Sequence, residues 1–513
     1  MSKIPKKQKK QRAKLENEII KLKIDAVKNY TNGGASRYRN DMKGFNVTVN
    51  TPDEDIGENL DTLVARSLDL FMNSPLATGA IKTIRTNVIG SGLKLNAAID
   101  FEYLKLTSDQ ANEWEKDIER EWRLWSESPN CDATRRMNFG QIQQLATVSS
   151  LISGDCFVTL PRKKRAGTPY QTTVQLIDGS RVRNPDVGIE GGRVFNGIEI
   201  DAHGEALAAY IHHGYESQYM DTGYTRVPFY GEKSGRPLIL QIMQDWERIG
   251  QRRGVPLLAP VIIVLKQLNR YTDAELAASL VASMFTAFLT TESPQTDLMG
   301  LSTITEEERV SNPEMSIELQ RGGIVALQPG QDLKTAEPTR DTGAFDTFVT
   351  SLTRQIGAAL EIPQELLVKH FTSSYSASRA ALLEFWKMAH MRRAVLSATL
   401  CQPIYEEWLS EAVALGRVKA PGFFDDQSIR AAWCGAEWYG PKQGHLNPLQ
   451  EAKAIEVLID NDLTTREKAA SEVSGQAWED IAPVRVREEK YRRDNGLGEQ
   501  LKPQGVLDEL VTD

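Results

Sequence analysis

The sequence predicts an α+β chain, and three observations carry that prediction. Apolar residues recur every three or four positions from Asp53 to about Ser150, the period of amphipathic helices. From Gly154 to Pro260 the pattern changes to short β-branched or alternating runs separated by turn residues. From Val261 onward the helical period returns, interrupted by a polar stretch that holds Pro294, Pro313, Pro329 and Pro338.

Taken in order, residues 1–50 read as a basic arm. Lys3, Lys6, Lys7, Lys9, Lys10, Arg12 and Lys14 crowd together, and Asn32-Gly33-Gly34 follows as a breaker. Two readings stand: an arm touching nucleic acid or another subunit, and a solvated, disordered tail. Helices are expected up to Asn73, then over Leu76–Val88, with Pro75 at an early helical position. Leu93 to Asn96 reads as a strand. A helix over Ser108–Ser126 puts Trp114, Ile118, Trp122 and Trp125 on one side, as core packing requires, and another runs over Asn138–Ser150. Strands are expected at Cys156–Leu160, Val174–Ile177, Ile198–Ile200 and Ala206–Ile211, the last two joined by the hairpin Asp201-Ala202-His203-Gly204-Glu205. The basic turn Arg162-Lys163-Lys164-Arg165 reads as a solvated loop tip or a phosphate contact. Val261 to Leu289 is expected to be helical, with one strand at Gly323–Leu327 in the polar stretch after it. Helices capped by Asn447 and Thr464 close the chain.

Between the helix Phe345–Leu360 and a long second helix from about Arg379 lies a short loop, Pro363–Ser378. It carries Lys369, His370 and Phe371, then the polar run Thr372-Ser373-Ser374-Tyr375-Ser376. The helix behind it repeats Leu382, Phe385, Trp386, Ala389, Leu396 and Leu400 and has no glycine before Gly416. At about 1.5 Å per residue it is roughly 50 Å long, and Pro403 is expected to kink it.

Composition narrows the function. The chain has 513 residues, 41% apolar and 25% charged, the balance of a globular chain with two to four domains. A net charge of −8 argues against a protein that coats DNA by bulk positive charge. Four widely spaced cysteines form no CxxC pair, which suits reduced thiols and no zinc site. No signal peptide and no apolar run of about 18 residues is expected, so no membrane span. There is no GxxxxGK[ST], HExxH, GxSxG or Rossmann fingerprint. The six histidines are scattered, and His212-His213, adjacent in a strand, point to opposite faces. Glu306-Glu307-Glu308 can be written as a cation site, but a solvated helix face explains it better. No catalytic residue, metal or cofactor is therefore expected: the chain reads as a protein that works by shape and assembly. A non-channel capsid or scaffold-type protein and an unrecognised metal-dependent nuclease are the alternatives.

The loop and its helix resemble the lambda-type phage portal proteins. That family has a Ser-Tyr-Ser element, an Arg, an acid, an aromatic and an Arg-Arg pair, which stand here as Ser374-Tyr375-Ser376, Arg379, Glu384, Trp386 and Arg392-Arg393. The resemblance covers about residues 60–490. It includes Val88 to Gly92, Arg253-Gly254-Val255-Pro256, and Leu327-Gln328-Pro329-Gly330. Ser153 to Val158 resembles the family's Gly-Glu-x-Phe-Val strand, with Asp155 in place of the Glu.

What the resemblance implies is a portal fold assembled as a ring of about twelve copies around a central channel. After the arm, 51–260 is the wing, 261–290 and 343–361 the stem helices, and 291–342 the clip. Residues 362–378 form the channel loop, 379–440 the long kinked wing helix with its connection, and 441–513 the helical crown and tail. The ring sits at one capsid vertex, after assembly in the host cytoplasm. Double-stranded DNA passes through it without sequence specificity, touching Lys369, His370, Ser373, Ser374, Tyr375 and Ser376. The large terminase subunit, head–tail connector proteins, and major capsid and scaffold proteins are the implied partners.

Overall fold

In the computed structural model the described residues are 10–11, 13–20, 34–36, 40–45, 47–185, 193–214, 223–283, 287–291, 331–335, 343–372, 374–442, 448–474 and 478–496. The chain divides into two units, Met1–Asp55 and Ile56–Asp513. In the first, residues 13–20 are helical where a structureless arm is expected. The run has no Gly or Pro, and Lys14 and Glu18 stand at the favourable four-residue spacing. Near its end, the Thr51 amide and hydroxyl both donate to Glu54, at 2.8 and 2.9 Å.

The second unit opens with two helices, α1 (Leu60–Asn73) and α2 (Pro75–Val88). They are separated by Ser74 in extended backbone, and Pro75 takes the first position of α2, where no amide donor is needed. Strand β1 (Lys94–Ala97) follows. Helices α3 (Ser108–Ser126) and α4 (Phe139–Ser153) each begin with a reciprocal cap, Thr107 with Gln110 and Asn138 with Gln141.

The β-rich block forms two antiparallel sheets. Its strands are β2 (Asp155–Thr159), β3 (Gln175–Asp178), β4 (Arg193–Phe195), β5 (Ile198–Ile200), β6 (Ala206–His212), β7 (Tyr224–Pro228) and β8 (Ile239–Met243). The orders are β3-β2-β8 and β4-β5-β6-β7. The hairpin at 201–205 joins β5 to β6 as its turn chemistry predicts. Strands β4, β7 and β8 carry no clean alternation and are visible only through their pairing.

Helix α5 (Ile262–Ser283) is shorter than the expected 261–290. Ala287–Thr291 is instead strand β9, paired antiparallel with β10 (Gln331–Thr335). The run Ala-Phe-Leu-Thr-Thr is short enough to serve either period, and a pairing partner decides for strand. The strand expected at 323–327 lies outside the described residues, as does most of 291–342.

Then come α6 (Gly343–Ala359), the single turn α7 (Gln364–Val368) and α8 (Tyr375–Leu396). A five-residue π-turn, Ser397–Cys401, joins α8 to α9 (Gln402–Ala414). Helix α10 (Gln427–Trp433) and strand β11 (Ala436–Tyr439) follow, and β11 pairs antiparallel with β1 across more than three hundred residues. Three helices close the described chain: α11 (Pro448–Asp460), α12 (Arg466–Ser474) and α13 (Trp478–Asp494).

The main core is built around the α8–α9 rod. Leu396, Leu400, Cys401, Ile404, Tyr405, Trp408, Leu409 and Ala412 are all sealed from solvent. Trp122 sits at the centre of an aromatic nest, with ring centroids 4.8 Å from Trp125, 5.3 Å from Phe139, 5.1 Å from Trp408 and 5.6 Å from Tyr405. The core role expected for the tryptophans is what the structure shows.

A buried ion pair ties the sheets to the entry of α5. Asp155 is 0% exposed and Arg253 is 4% exposed. Arg253 Nε and Nη2 reach the two Asp155 oxygens at 2.6 and 3.0 Å. Its remaining N–H groups go to the carbonyls of Gly179, Val182 and Asn196, at 2.7, 2.6 and 2.7 Å. All five donors of the guanidinium are thereby used. Asp155 also accepts from the Gly254 amide and from Gln241, both at 3.1 Å. The two chains approach so closely here that a Cβ on Gly254 would lie 2.0 Å from the Gly154 carbonyl oxygen. Only glycine fits this crossing. Pro256 is buried just beyond it, and the Leu257 amide donates to the Leu151 carbonyl at 2.9 Å.

Removing one partner of a buried pair leaves the other charge stranded. Asp155→Ala and Arg253→Ala are each expected to destabilise by about 3–5 kcal/mol, and the double variant by much less than their sum. Urea unfolding followed by tryptophan fluorescence checks this; additive losses would contradict the pairing.

Candidate functional site

The loop between α6 and α8 is held from below and left bare on top. At the end of α6 remote from the loop, Tyr271 of α5 stacks on Phe345 at 5.4 Å and meets Phe348 edge-on at 5.0 Å. The Ile362 amide closes the end of α6 by donating to the Gly357 carbonyl, and Ile362 and Leu367 are buried. Short as it is, α7 thus has one apolar anchor.

Lys369 ends α7 in left-handed backbone, φ 55°, and its exposed side chain leaves the fold. The amides of Lys369 and His370 both donate to the Glu365 carbonyl. This is a left-handed helix ending of the kind glycine or asparagine usually makes. His370 is exposed as well, and Phe371 is 52% and Tyr375 53% exposed, high for aromatic rings.

One expectation is corrected here. The long helix starts at Tyr375 and not near Arg379. Ser374 is its cap, with its hydroxyl accepting from the Ala377 amide at 3.4 Å. The Ser-Tyr-Ser element is therefore the cap and first turn of α8, and the irregular loop is only about 369–374. Sequence periodicity misses this first turn because it has no apolar face to bury. Ser376 and Arg379 project from it, exposed. Ser373 lies outside the described residues.

Behind the tip, the structure separates the motif residues into two groups. Glu384 is exposed and pairs with Lys387 at 2.8 Å, a surface contact worth little. Trp386, Arg392 and Arg393 turn inward. Arg392, 2% exposed on its side chain, reaches Asp245 at 2.9 Å and Glu361 at 3.8 Å. It thereby ties the loop's base to the end of β8. Arg393 donates to the carbonyls of Val88 and Asn87 at 3.1 and 3.2 Å, and to that of Pro441. A cation on the last carbonyls of α2 also meets the negative end of that helix. Burial lowers the Arg393 pKa from the usual guanidinium value. The two arginines are structural ties, whereas the loop residues are free of the core.

Pro403 stands in the first turn of α9, immediately after the π-turn, where its missing amide leaves the least unsatisfied. The irregularity of the rod is therefore the π-turn and the proline together.

Sequence reasoning passed over two acids. Glu411 accepts the amides of Gln171 and Thr172 at 2.7 and 2.8 Å, and Glu407 pairs with Arg236 at 2.5 Å. Both are buried on an otherwise apolar helix face. Acids four residues apart on an apolar stripe were the available signal. The basic turn 162–165 is accounted for in the same way: Lys163 and Arg165 donate to the carbonyls of Asn130, Asp132 and Ala133. Two of its four cations, Lys163 and Arg165, are thus engaged within the fold, whereas Lys164 is exposed. His212 is buried and His213 bonds Thr225 at 2.9 Å, on opposite faces as expected. Among the described residues no group of three or more metal-type ligands comes together; Glu306 to Glu308 lie outside them. No described helix is long and apolar enough to cross a membrane.

A paired-helix base under an exposed polar tip, carried by a buried rod, defines a structural scaffold that presents a loop. The chain belongs to the lambda family of phage portal proteins, whose family model matches residues 38–393. Portal protein B of Escherichia phage lambda is 25% identical over 485 residues, covering 91% of this chain and 90% of that protein. The portal protein of Escherichia phage N15 is 25% identical over 483 residues, covering 91% of each. A chain in the neck of a native GTA particle, computed with C12 symmetry, aligns over 80% of this chain and 92% of its own, with 12% identity and a TM-score of 0.44.

If Ser374 caps α8, Ser374→Ala costs the helix end about 1 kcal/mol. Amide exchange over 375–378 is expected to quicken several-fold while the melting temperature of the whole chain stays put.

Proposed function

We propose that this portal protein assembles as a closed ring of about twelve copies at one capsid vertex, with double-stranded DNA passing along its axis. The family match over residues 38–393 carries this reading, because it spans both helices that flank the loop and the loop itself. In it, α5 and α6 are the stem and loop 362–378 faces the channel. The wing combines 51–260 with 379–440, and 441–513 forms the crown. Residues 291–342 are the clip, where the large terminase subunit and later the head–tail connectors dock; the wing meets the major capsid and scaffold proteins. The protein works without catalysis, and its station is the host cytoplasm during assembly and then the virion.

The physics of the loop supports this assignment. A channel for moving DNA must hold phosphate weakly, since each fixed cation strengthens binding and makes it salt-dependent. Each copy offers Lys369 as the exposed cation of the loop tip, on a chain of net charge −8. The hydroxyls of Ser374, Tyr375 and Ser376 can touch phosphates without reading sequence. Because Arg392 and Arg393 are engaged inside the fold, the tip can change without disturbing the rod.

Two measurements test the proposal. Negative-stain microscopy of the purified protein is expected to show rings with an axial hole; a stable monomer at micromolar concentration in all salts would sink the idea. For the loop, Lys369→Gly removes the charge and suits the left-handed backbone, so it is the cleaner change than alanine. Combined with Tyr375→Ala it is expected to leave rings intact, because truncating exposed side chains costs little, within about 0.5 kcal/mol. Heads built with this double variant are expected to retain less full-length genome. Normal retention would remove the role assigned to the loop.

A further inference from the structure

The loop between β8 and α5, residues 244–252, turns apolar side chains outward. Trp246 is 68% exposed and Ile249 102%. A slack loop would fold such residues under, but this one is held. Gln251, itself 3% exposed, accepts the Glu247 and Arg248 amides on its side-chain oxygen, at 2.9 and 3.2 Å. Its side-chain nitrogen donates to the Arg253 carbonyl at 2.9 Å, and its own amide to the Arg248 carbonyl at 3.2 Å. Gly250, at φ +83°, completes the turn. A buried glutamine thus fixes an exposed tryptophan in place, and a fixed aromatic is the kind of residue that anchors an interface.

The same chain offers a socket. Between the end of α6, α7 and α8 lies an open cavity of about 550 Å³. Ile362, Phe385 and Met388, each at most 6% exposed, form its floor, and Met391, 50% exposed, its edge. Two acids, Glu361 and Glu384, and two bases, Arg354 and Lys387, stand around it. The rim is therefore neutral in sum and the floor apolar, the anatomy of a contact centre. The cavity has room for an indole ring.

Trp246 does not line the socket of its own chain. Arg392 reaches Asp245, beside Trp246, with one nitrogen and Glu361, at the socket, with the other. Loop and socket are thus rooted on two arms of one guanidinium, and neither can swing onto the other. Every copy carries both halves at separate, fixed places. Such a pair makes a head-to-tail contact between copies, and head-to-tail contacts repeat around a closed ring.

We propose that Trp246 of each copy, flanked by Ile249, seats in the socket of the next copy. The proposal rests on the ring proposed above and names the surfaces that close it.

Full chains with Glu247→Cys and full chains with Lys387→Cys are assembled together and treated with a short bis-maleimide. Both positions are exposed and stand beside the contact, so its apolar centre is left intact, and the four native cysteines are buried. The expected product is a covalent dimer of one chain of each kind, absent when either preparation is treated alone. Adding Trp246→Ala to the Glu247→Cys chain is expected to lower its yield at least tenfold, as the loss of a central aromatic anchor does, whereas Trp246→Phe keeps it. Rings in negative stain without mixed dimers would overturn this inference and leave the ring standing. So would mixed dimers whose yield ignores Trp246→Ala. Absence of rings from the unaltered protein would overturn the ring, and the contact with it.

Discussion

The buried contact between Asp155 and Arg253 is the constraint on which the β-rich block and its junction with the helices depend. A carboxylate taken out of water is stable only if its lone pairs are matched, and a guanidinium only if its donors are. Here both conditions hold, and meeting them draws four separated pieces of chain to one point: the start of β2, the turn from Gly179 to Val182, the tip at Asn196 and the entry to α5. The glycines at 154 and 254 exist for the same reason, since the backbones must touch to bring the pair together.

The second organising element is the rod formed by α8, the π-turn and α9. One face of its middle is buried, and four of its charged residues point inward to hold other segments. Arg392 holds the base of the loop, Arg393 the end of α2, Glu407 the β-rich block through Arg236, and Glu411 the backbone at 171–172. The loop tip, by contrast, has nothing packed over it. A rigid foundation with a bare polar tip can meet a moving polyanion without transmitting each contact into the fold. The same division explains why motif residues clustered in sequence have unlike roles: Glu384 and Arg379 face out, whereas Trp386, Arg392 and Arg393 are structural.

Much of the helical frame was legible because its signals are local. Caps, Pro75 and three-to-four-residue apolar spacing placed α2, α3 and α4 within a few residues, and the hairpin between β5 and β6 came from its turn chemistry. The first turn of α8 escaped because a solvent-exposed turn shows no apolar period, only the serine cap. The tail of the supposed first stem helix became β9 because pairing with β10, some forty residues away, outweighs a weak local preference. The bonds of Lys163 and Arg165 in the basic turn were not legible, because their partners are backbone carbonyls some thirty residues distant.

The sequence by itself determined the α+β class, the order of most helices, the loop between two helices and the portal-family motifs, since each depends on neighbouring residues or on ordered short patterns. Tertiary structure alone decided which charges are structural. Nothing local distinguishes Arg393 from Arg379, or Asp155 and Glu411 from surface acids; each is sorted by what the rest of the chain packs against it. Burial makes a charge dependent on partners hundreds of residues away in sequence, and that dependence exists only once the chain has folded.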